Sequence, residues 1–232
     1  MAVILYKNFD INALNTCEVV KNKSGGNQVS LKYNDTKRII MQIPVMNAPF
    51  GLSEYVPSDN RSGSSNIVKY SIDLSFKGYD NDPKIANFMT LMRNLDEFMI
   101  QTGVKHSKEW FGKEMSKEVV GELYRPIIKE SKMPEKYAPT IKLKIRTRQD
   151  TNAIVVDAFN KDRTVFDMSE FLPGTSVKCI VDFAPIWFVN KQFGLTLTIL
   201  QLEVMDVPQN KLNGFAFQKD DDDDEHFVED DE

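Results

Sequence analysis

The stretch TIKLKIRTRQ, residues 140–149, sets cations against aliphatics in strict alternation. Lys142, Lys144, Arg146 and Arg148 fall on one parity, and Ile141, Leu143 and Ile145 on the other. Alternate side chains of a strand leave on opposite faces, so all four cations project from one side. Neighbouring charges then stand about 6.5–7 Å apart, similar to the phosphate spacing of an extended single strand. Like charges along a ribbon repel, and a polyanion laid across them relieves that repulsion. The competing reading is a solvated face with acidic partners on neighbouring strands.

A second constellation is aromatic. Phe183, Trp187, Phe188 and Phe193 crowd one predicted hairpin, with Lys178 and Lys191 close by. Trp187 and Phe188 are consecutive and must point to opposite faces of a strand. One enters the core while the other stands outward. An outward ring beside cations suits base stacking, worth about 1–3 kcal/mol per base. Phe193, at the expected hairpin tip, is a further stacking candidate, whereas Phe183 is expected in the core. A cationic groove plus aromatic platforms is the equipment of sequence-tolerant single-strand binding. The candidate nucleic-acid contacts are therefore Lys69, Lys142, Lys144, Arg146, Arg148, Lys178, Trp187, Phe188, Lys191 and Phe193.

Signals for catalysis are thin. There is no phosphate-binding glycine loop after a strand, no GxSxG, no HExxH and no CxxC. His106 has no companion ligand at metal spacing and reads as a surface or helix-cap residue. Asp157, Asp167 and Asp182 supply carboxylates on structured segments, without a metal-ligand pattern. No cofactor, no metal and no enzymatic activity are expected.

Several elements must position these residues. VSLKY (29–33) and KRIIMQIPV (37–45) read as strands around an Asn34-Asp35 turn. Residues 46–66, rich in Pro, Gly, Ser and Asn, read as a long surface loop. NIVKYSIDLSF (66–76) alternates as a half-buried strand, with Lys69 on its polar face. Asp82-Pro83 caps and opens a helix in which Ile85, Phe88, Met89, Met92, Leu95 and Met99 recur at helical spacing, up to Gly103. Residues 104–139 read as an insertion. Ser107 caps a helix there through Trp110, Phe111, Met115, Val119 and Leu123, followed by a Pro-containing connector. Residues 153–159 and 163–168 are expected to pair around Asn160-Lys161-Asp162. Residues 175–190 and 194–207 read as two long strands. Few helices in a run of strands argue against a parallel βαβ fold. The expectation is a mainly β protein, a small curled Greek-key barrel with one packed helix.

Charge divides the chain. It carries 29 basic and 34 acidic residues, a net of −5. Ten of the acids lie among the last thirteen residues, which hold no Lys or Arg, so residues 1–219 carry 29 bases against 24 acids, a net of +5. A segment so acidic cannot fold alone. Residues 209–232 are expected to be a disordered tail on a domain over 1–208. Asp220, Asp221, Asp222, Asp223, Asp224 and Glu225, with the lone aromatic Phe227, are its candidate partner-binding residues. Two distant cysteines, Cys17 and Cys179, suggest a reducing, intracellular setting. The apolar start lacks the features of a signal peptide, and no stretch reaches the length of a membrane span.

Taken in order, NIVKYSIDLSF, DPKIANFMTLMRNL, TIKLKIRTRQ, IVVDAF, PGTSVKCIVDFAPIWFVNKQFGLTLTILQLEV and the acidic end resemble the single-stranded DNA-binding proteins of T-seven-type podophages. They look most like relatives of that family in large nucleocytoplasmic DNA viruses. The similarity covers residues 66–103 and 140–232. The resemblance implies an OB-fold that coats single-stranded DNA and promotes annealing in viral replication and recombination. It also implies a homodimer, residence in the infected host cell, and a tail that competes with DNA and contacts polymerase and helicase–primase. It places phosphate contacts on Lys142, Lys144 and Lys178, and stacking on Trp187 or Phe188. Two departures stand out: Ile180 occupies a position where the family has a further lysine, and the chain ends Asp-Asp-Glu where the family ends in an aromatic. A different class of reading is an acidic-tailed interaction protein of histone-chaperone type, with the barrel as scaffold.

Overall fold

The computed structural model describes residues 2–22, 25–56, 68–148 and 150–208. The candidate tail residues Asp220–Asp224, Glu225 and Phe227 lie outside the described residues.

Alternation makes the central strands. β1 (Ile4–Leu5), β2 (Leu14–Lys21), β3 (Asn27–Tyr33), β4 (Ile40–Gln42), β5 (Met46–Ala48) and β6 (Leu52–Tyr55) precede β7 (Lys69–Ser75). Ile72 and Leu74 of β7 are wholly buried, and their polar neighbours face out. The helix α1 (Pro83–Lys105) follows. Its start is the expected cap: the Asp82 carboxylate accepts from the Lys84 amide at 2.8 Å, and Pro83 occupies the first turn. Its buried face is the expected stripe of Ile85, Phe88, Met89, Met92, Leu95 and Met99. Gly103 is needed there, because a Cβ would stand 2.7 Å from Val120 Cγ1 and 2.9 Å from Phe193 Cζ.

The stretch after α1 differs from expectation. Instead of one helix there are two, α2 (Ser107–Phe111) and α3 (Lys117–Leu123). Gly112 breaks them with a left-handed φ of 80°. Ser107 does not cap; its Oγ accepts from the Met115 amide at 3.2 Å and pins the link. Two short strands, β8 (Tyr124–Arg125) and β9 (Ile128–Lys129), come next. Half-buried Asp96 of α1 holds them. Its carboxylate accepts from Tyr124 Oη at 2.7 Å, Ile127 N at 2.8 Å and Ile128 N at 3.4 Å. Burial pushes the Asp96 pKa up, and those hydrogen bonds offset only part of the shift.

The remaining strands are β10 (Thr140–Thr147), β11 (Ile154–Val155), β12 (Asp157–Asn160), β13 (Thr175–Phe183), β14 (Ile186–Val189), β15 (Gln192–Gly194) and β16 (Leu197–Asp206). β13 pairs with β5, β5 with β7, β7 with β10, β10 with β16, and β16 back with β13. That is a closed ring of five strands, antiparallel except for the β10–β16 pair. Ile141, Leu143, Val177, Cys179, Val181 and Ile199 fill its core. Each of the aliphatic side chains among them contributes roughly 1.5–3 kcal/mol on burial. Both cysteines are free, and burial pushes the Cys179 thiol up to about 12. A second sheet runs in the order β2-β3-β14-β15-β8.

Three other expectations change. Residues 46–55, read as loop, hold β5 and β6, which are too short to show alternation and are held by β13 and β7. Residues 163–168 form no strand but a single bridge, Phe159 to Val165, after a left-handed Arg163. The two long strands each split. Pro185 has no amide to donate, and beyond it β14 leaves the barrel for the second sheet. The hairpin turn is Asn190-Lys191, both left-handed (φ 50° and 64°), not residues 191–194.

Candidate nucleic-acid interface

The cationic strand is β10, built as expected. Ile141, Leu143 and Ile145 are buried, while Lys142, Lys144 and Arg146 face outward and are exposed. Register with β7 sets Lys142 opposite Asp73 and Lys144 opposite Ser71. Lys142 Nζ lies 3.3 Å from Asp73 Oδ2 and 3.5 Å from Ser71 Oγ. Arg146 Nη2 and Arg38 Nε converge on one oxygen of Asp182, at 3.0 and 3.1 Å. Asp182 is itself buried, and its single negative charge cannot cancel both guanidiniums.

Lys144 has no acidic partner among the described residues. Protein crowding around its ammonium lowers its pKa, and the neighbouring Lys69 lowers it further. Lys69 stands on the same face, diagonal to Lys144 across the β7–β10 ladder. Lys142 and Lys144 line a narrow groove with Arg125, Pro126, Trp187 and Leu197. Trp187 is half-exposed there. Its ring packs on Gly194, where an added Cβ would stand 2.7 Å from Cζ2. The groove with its flank thus gathers Arg38, Lys69, Arg125, Lys142, Lys144 and Arg146 against Asp73 and Asp182, six positive charges to two negative.

Trp187 and Phe188 do point to opposite faces, and the groove takes Trp187. Phe188 lies on the other side of the hairpin, edge-on to Trp110 at 5.3 Å between centroids and stacked on Phe193 at 6.1 Å. Phe193 must be corrected as a stacking candidate. It is wholly buried among Trp110, Phe111, Tyr124 and Phe188, and a ring with no free face cannot receive a base. Phe183 is core, as expected, stacked on Phe9. Lys178 is not with Lys142 and Lys144. It forms an ion pair with Glu203 and borders a separate hollow with Gln42, Arg163 and Gln201. Lys191, in the hairpin turn, also faces away from the groove, beside Phe188. Arg148 lies past the end of β10, in a turn closed by its amide donating to Ala153 O at 2.9 Å.

Arg38, Arg125, Asp182 and Gly194 were not singled out from sequence as parts of this site. Arg125 sits in the insertion, whose return to the groove no local pattern announces. The three carboxylates weighed for catalysis are scattered over separate structural tasks. Asp157 accepts from Gln201 at 3.4 Å, Asp167 caps a short helix through Ser169 N at 2.9 Å, and Asp182 holds arginines. Among the described residues no cluster of His, Cys, Asp and Glu could hold a metal ion, and no helix is long and apolar enough to cross a membrane. His106 closes α1, donating through Nδ1 to the Glu109 carboxylate at 3.2 Å, and stacks on Trp110.

Among solved structures, the chain is similar to gp2.5, a single-stranded DNA-binding protein encoded by bacteriophage T7. Identity is 12%, the TM-score is 0.44, and the match covers 77% of this chain and 98% of that one. It is also similar to a single-stranded DNA-binding protein from bacteriophage Enc34, at 17% identity and a TM-score of 0.41, over 85% and 97% of the two chains. The same Enc34 protein in complex with single-stranded DNA matches at 15% identity and a TM-score of 0.42, over 82% and 97%. No curated protein sequence matches. A family model matches residues 81–218, well over half of the chain, from the start of α1 past the end of β16. The chain belongs to that family, the family of unknown function DUF5871.

Proposed function

We propose that this protein binds single-stranded DNA with little regard to sequence. One observation carries the reading: Trp187 lines the same groove as Lys142, Lys144 and Arg125. A π-face beside a row of cations matches what a single strand offers, unpaired bases and a phosphate backbone. Lys69, Arg146 and Arg38 extend the cationic track along the barrel. The five-strand ring is read as an OB-type barrel, and the protein as non-enzymatic.

The finer roles follow from the charge division and the family resemblance. The protein coats and anneals single strands in viral replication and recombination, as a homodimer in the infected cell. The acidic tail competes with DNA for the body's cations, and when displaced it meets polymerase and helicase–primase.

Fluorescence anisotropy with labelled oligo-dT over a series of salt concentrations tests the core of this reading. With about four phosphates engaged, log K should fall with log salt at a slope of roughly −3, from about −0.7 per contact on single strands. Lys142→Glu with Lys144→Glu should flatten that slope and weaken binding. Trp187→Ala should weaken binding by about 1–3 kcal/mol at unchanged slope. No binding by the intact protein or by one lacking residues 220–232, even at low salt, would sink the proposal.

A further inference from the structure

A hollow lies on the other side of the β14–β15 hairpin from Trp187. It encloses about 650 Å³, within the roughly 300–1,000 Å³ of pockets that admit a small organic group. Its floor is aromatic and aliphatic: Trp110, Phe111, Phe188 and Met115. Its rim carries Lys21, Lys113 and Lys191, and no acid among the described residues lines it. The acids of the two adjoining helices and their link, Glu109, Glu114, Glu118 and Glu122, are not part of the lining. Two of the lysines are unencumbered by any ion pair that the structure shows, and Lys21 donates only to the neutral Asn27. Apolar floors of this kind favour a ring, and the rim favours carboxylates on either side of it.

The chain itself carries that ligand. Between Asp220 and Glu232 there is one aromatic residue, Phe227, with six acids immediately before His226 and four closing the segment. Pro208 is the last described residue, so nineteen residues reach Phe227. Extended, they span about 60 Å, more than the roughly 45 Å across a compact domain of this size. We infer that Phe227 seats in the hollow lined by Trp110, Phe111 and Phe188, with its flanking carboxylates over Lys21, Lys113 and Lys191 of the same chain. The tail then has an anchor outside the groove. The inference deepens the tail's proposed return to the body and does not depend on DNA binding.

The test uses the full chain with benzoylphenylalanine in place of Phe227, irradiated without DNA and mapped by peptide mass spectrometry. Adducts on Trp110, Phe111, Met115 or Phe188 in a monomer-sized product are expected. They should drop several-fold with Lys113→Glu plus Lys191→Glu, and in about 1 M salt, where the screening length is about 3 Å. Adducts on Trp187, Lys142 or Lys144 instead, or no adduct on the body, would overturn the inference. So would adducts confined to a dimer-sized product that vanishes on dilution, which would make a second copy the occupant. Failure to bind oligo-dT would overturn the functional reading above and leave this map unaffected.

Discussion

The ring of Trp187 lies across Gly194, and the space it uses is the space a Cβ would need. Gly194→Ala should push the ring out of line with Lys142 and Lys144 without touching any charge. The expected outcome is weaker oligo-dT binding at an unchanged salt slope, read by anisotropy. Lys144 makes a different prediction. Crowding and Lys69 lower its pKa, so it loses its charge below the ordinary lysine range as pH rises. Affinity for oligo-dT should therefore fall on the way from neutral pH toward the ordinary lysine range. Lys144→Arg, which stays charged, should flatten that fall; an equal fall in both proteins would refute the assignment. Lys142 and Lys144 were legible because strand parity alone turns them outward; parity set Trp187 and Phe188 on opposite faces but left open which of them the groove would take. The error over Phe193 came from distance. Trp110 and Tyr124, which bury it, arrive from about seventy to eighty residues upstream in sequence and leave no mark near the hairpin.

Among the elements, α1 was readable at its start and along its buried face, where cap, proline and apolar spacing agree locally; its end was not, because Gly103, read as the stop, lies inside a helix that runs to Lys105. Nor was the insertion. Its two helices and two strands are fixed by contacts with α1 and with β15, which no local pattern encodes. Two substitutions probe those contacts. Gly103→Ala gains helix propensity of about 1 kcal/mol, but its methyl group meets Val120 and Phe193. Overpacking costs about 1–3 kcal/mol, so a net loss in a denaturant melt is expected, and a gain would show that the junction gives way. Asp96→Asn addresses the clamp on β8 and β9. The folded-state pKa of Asp96 is raised above the unfolded value of about 3.8. Its contribution to stability is thus full below that value and is lost as pH rises through the folded one. Asn does not titrate. The stability deficit of the variant should shrink from acid to neutral pH in paired melts; a deficit that widens would reverse the sign.

On the scale of the molecule, the sequence's two-signed charge foretold a basic body but not how its cations divide. One set, on β7 and β10 with Arg125 and Arg38, edges the groove. Another, Lys21, Lys113 and Lys191, rims the aromatic hollow. Lys178 belongs to neither and is matched by Glu203. The groove also has a place in the architecture that composition could not show. Lys142 and Lys144 stand on the five-strand ring, while Trp187 and Arg125 stand on the second sheet. The chain crosses from one to the other at Ala184-Pro185, where the ladder lapses. The groove is therefore a seam, and whatever fills it is a clasp. A strand of nucleic acid holding Trp187 on one bank and Lys142 on the other would resist their parting, much as a zip pull resists the parting of two tapes.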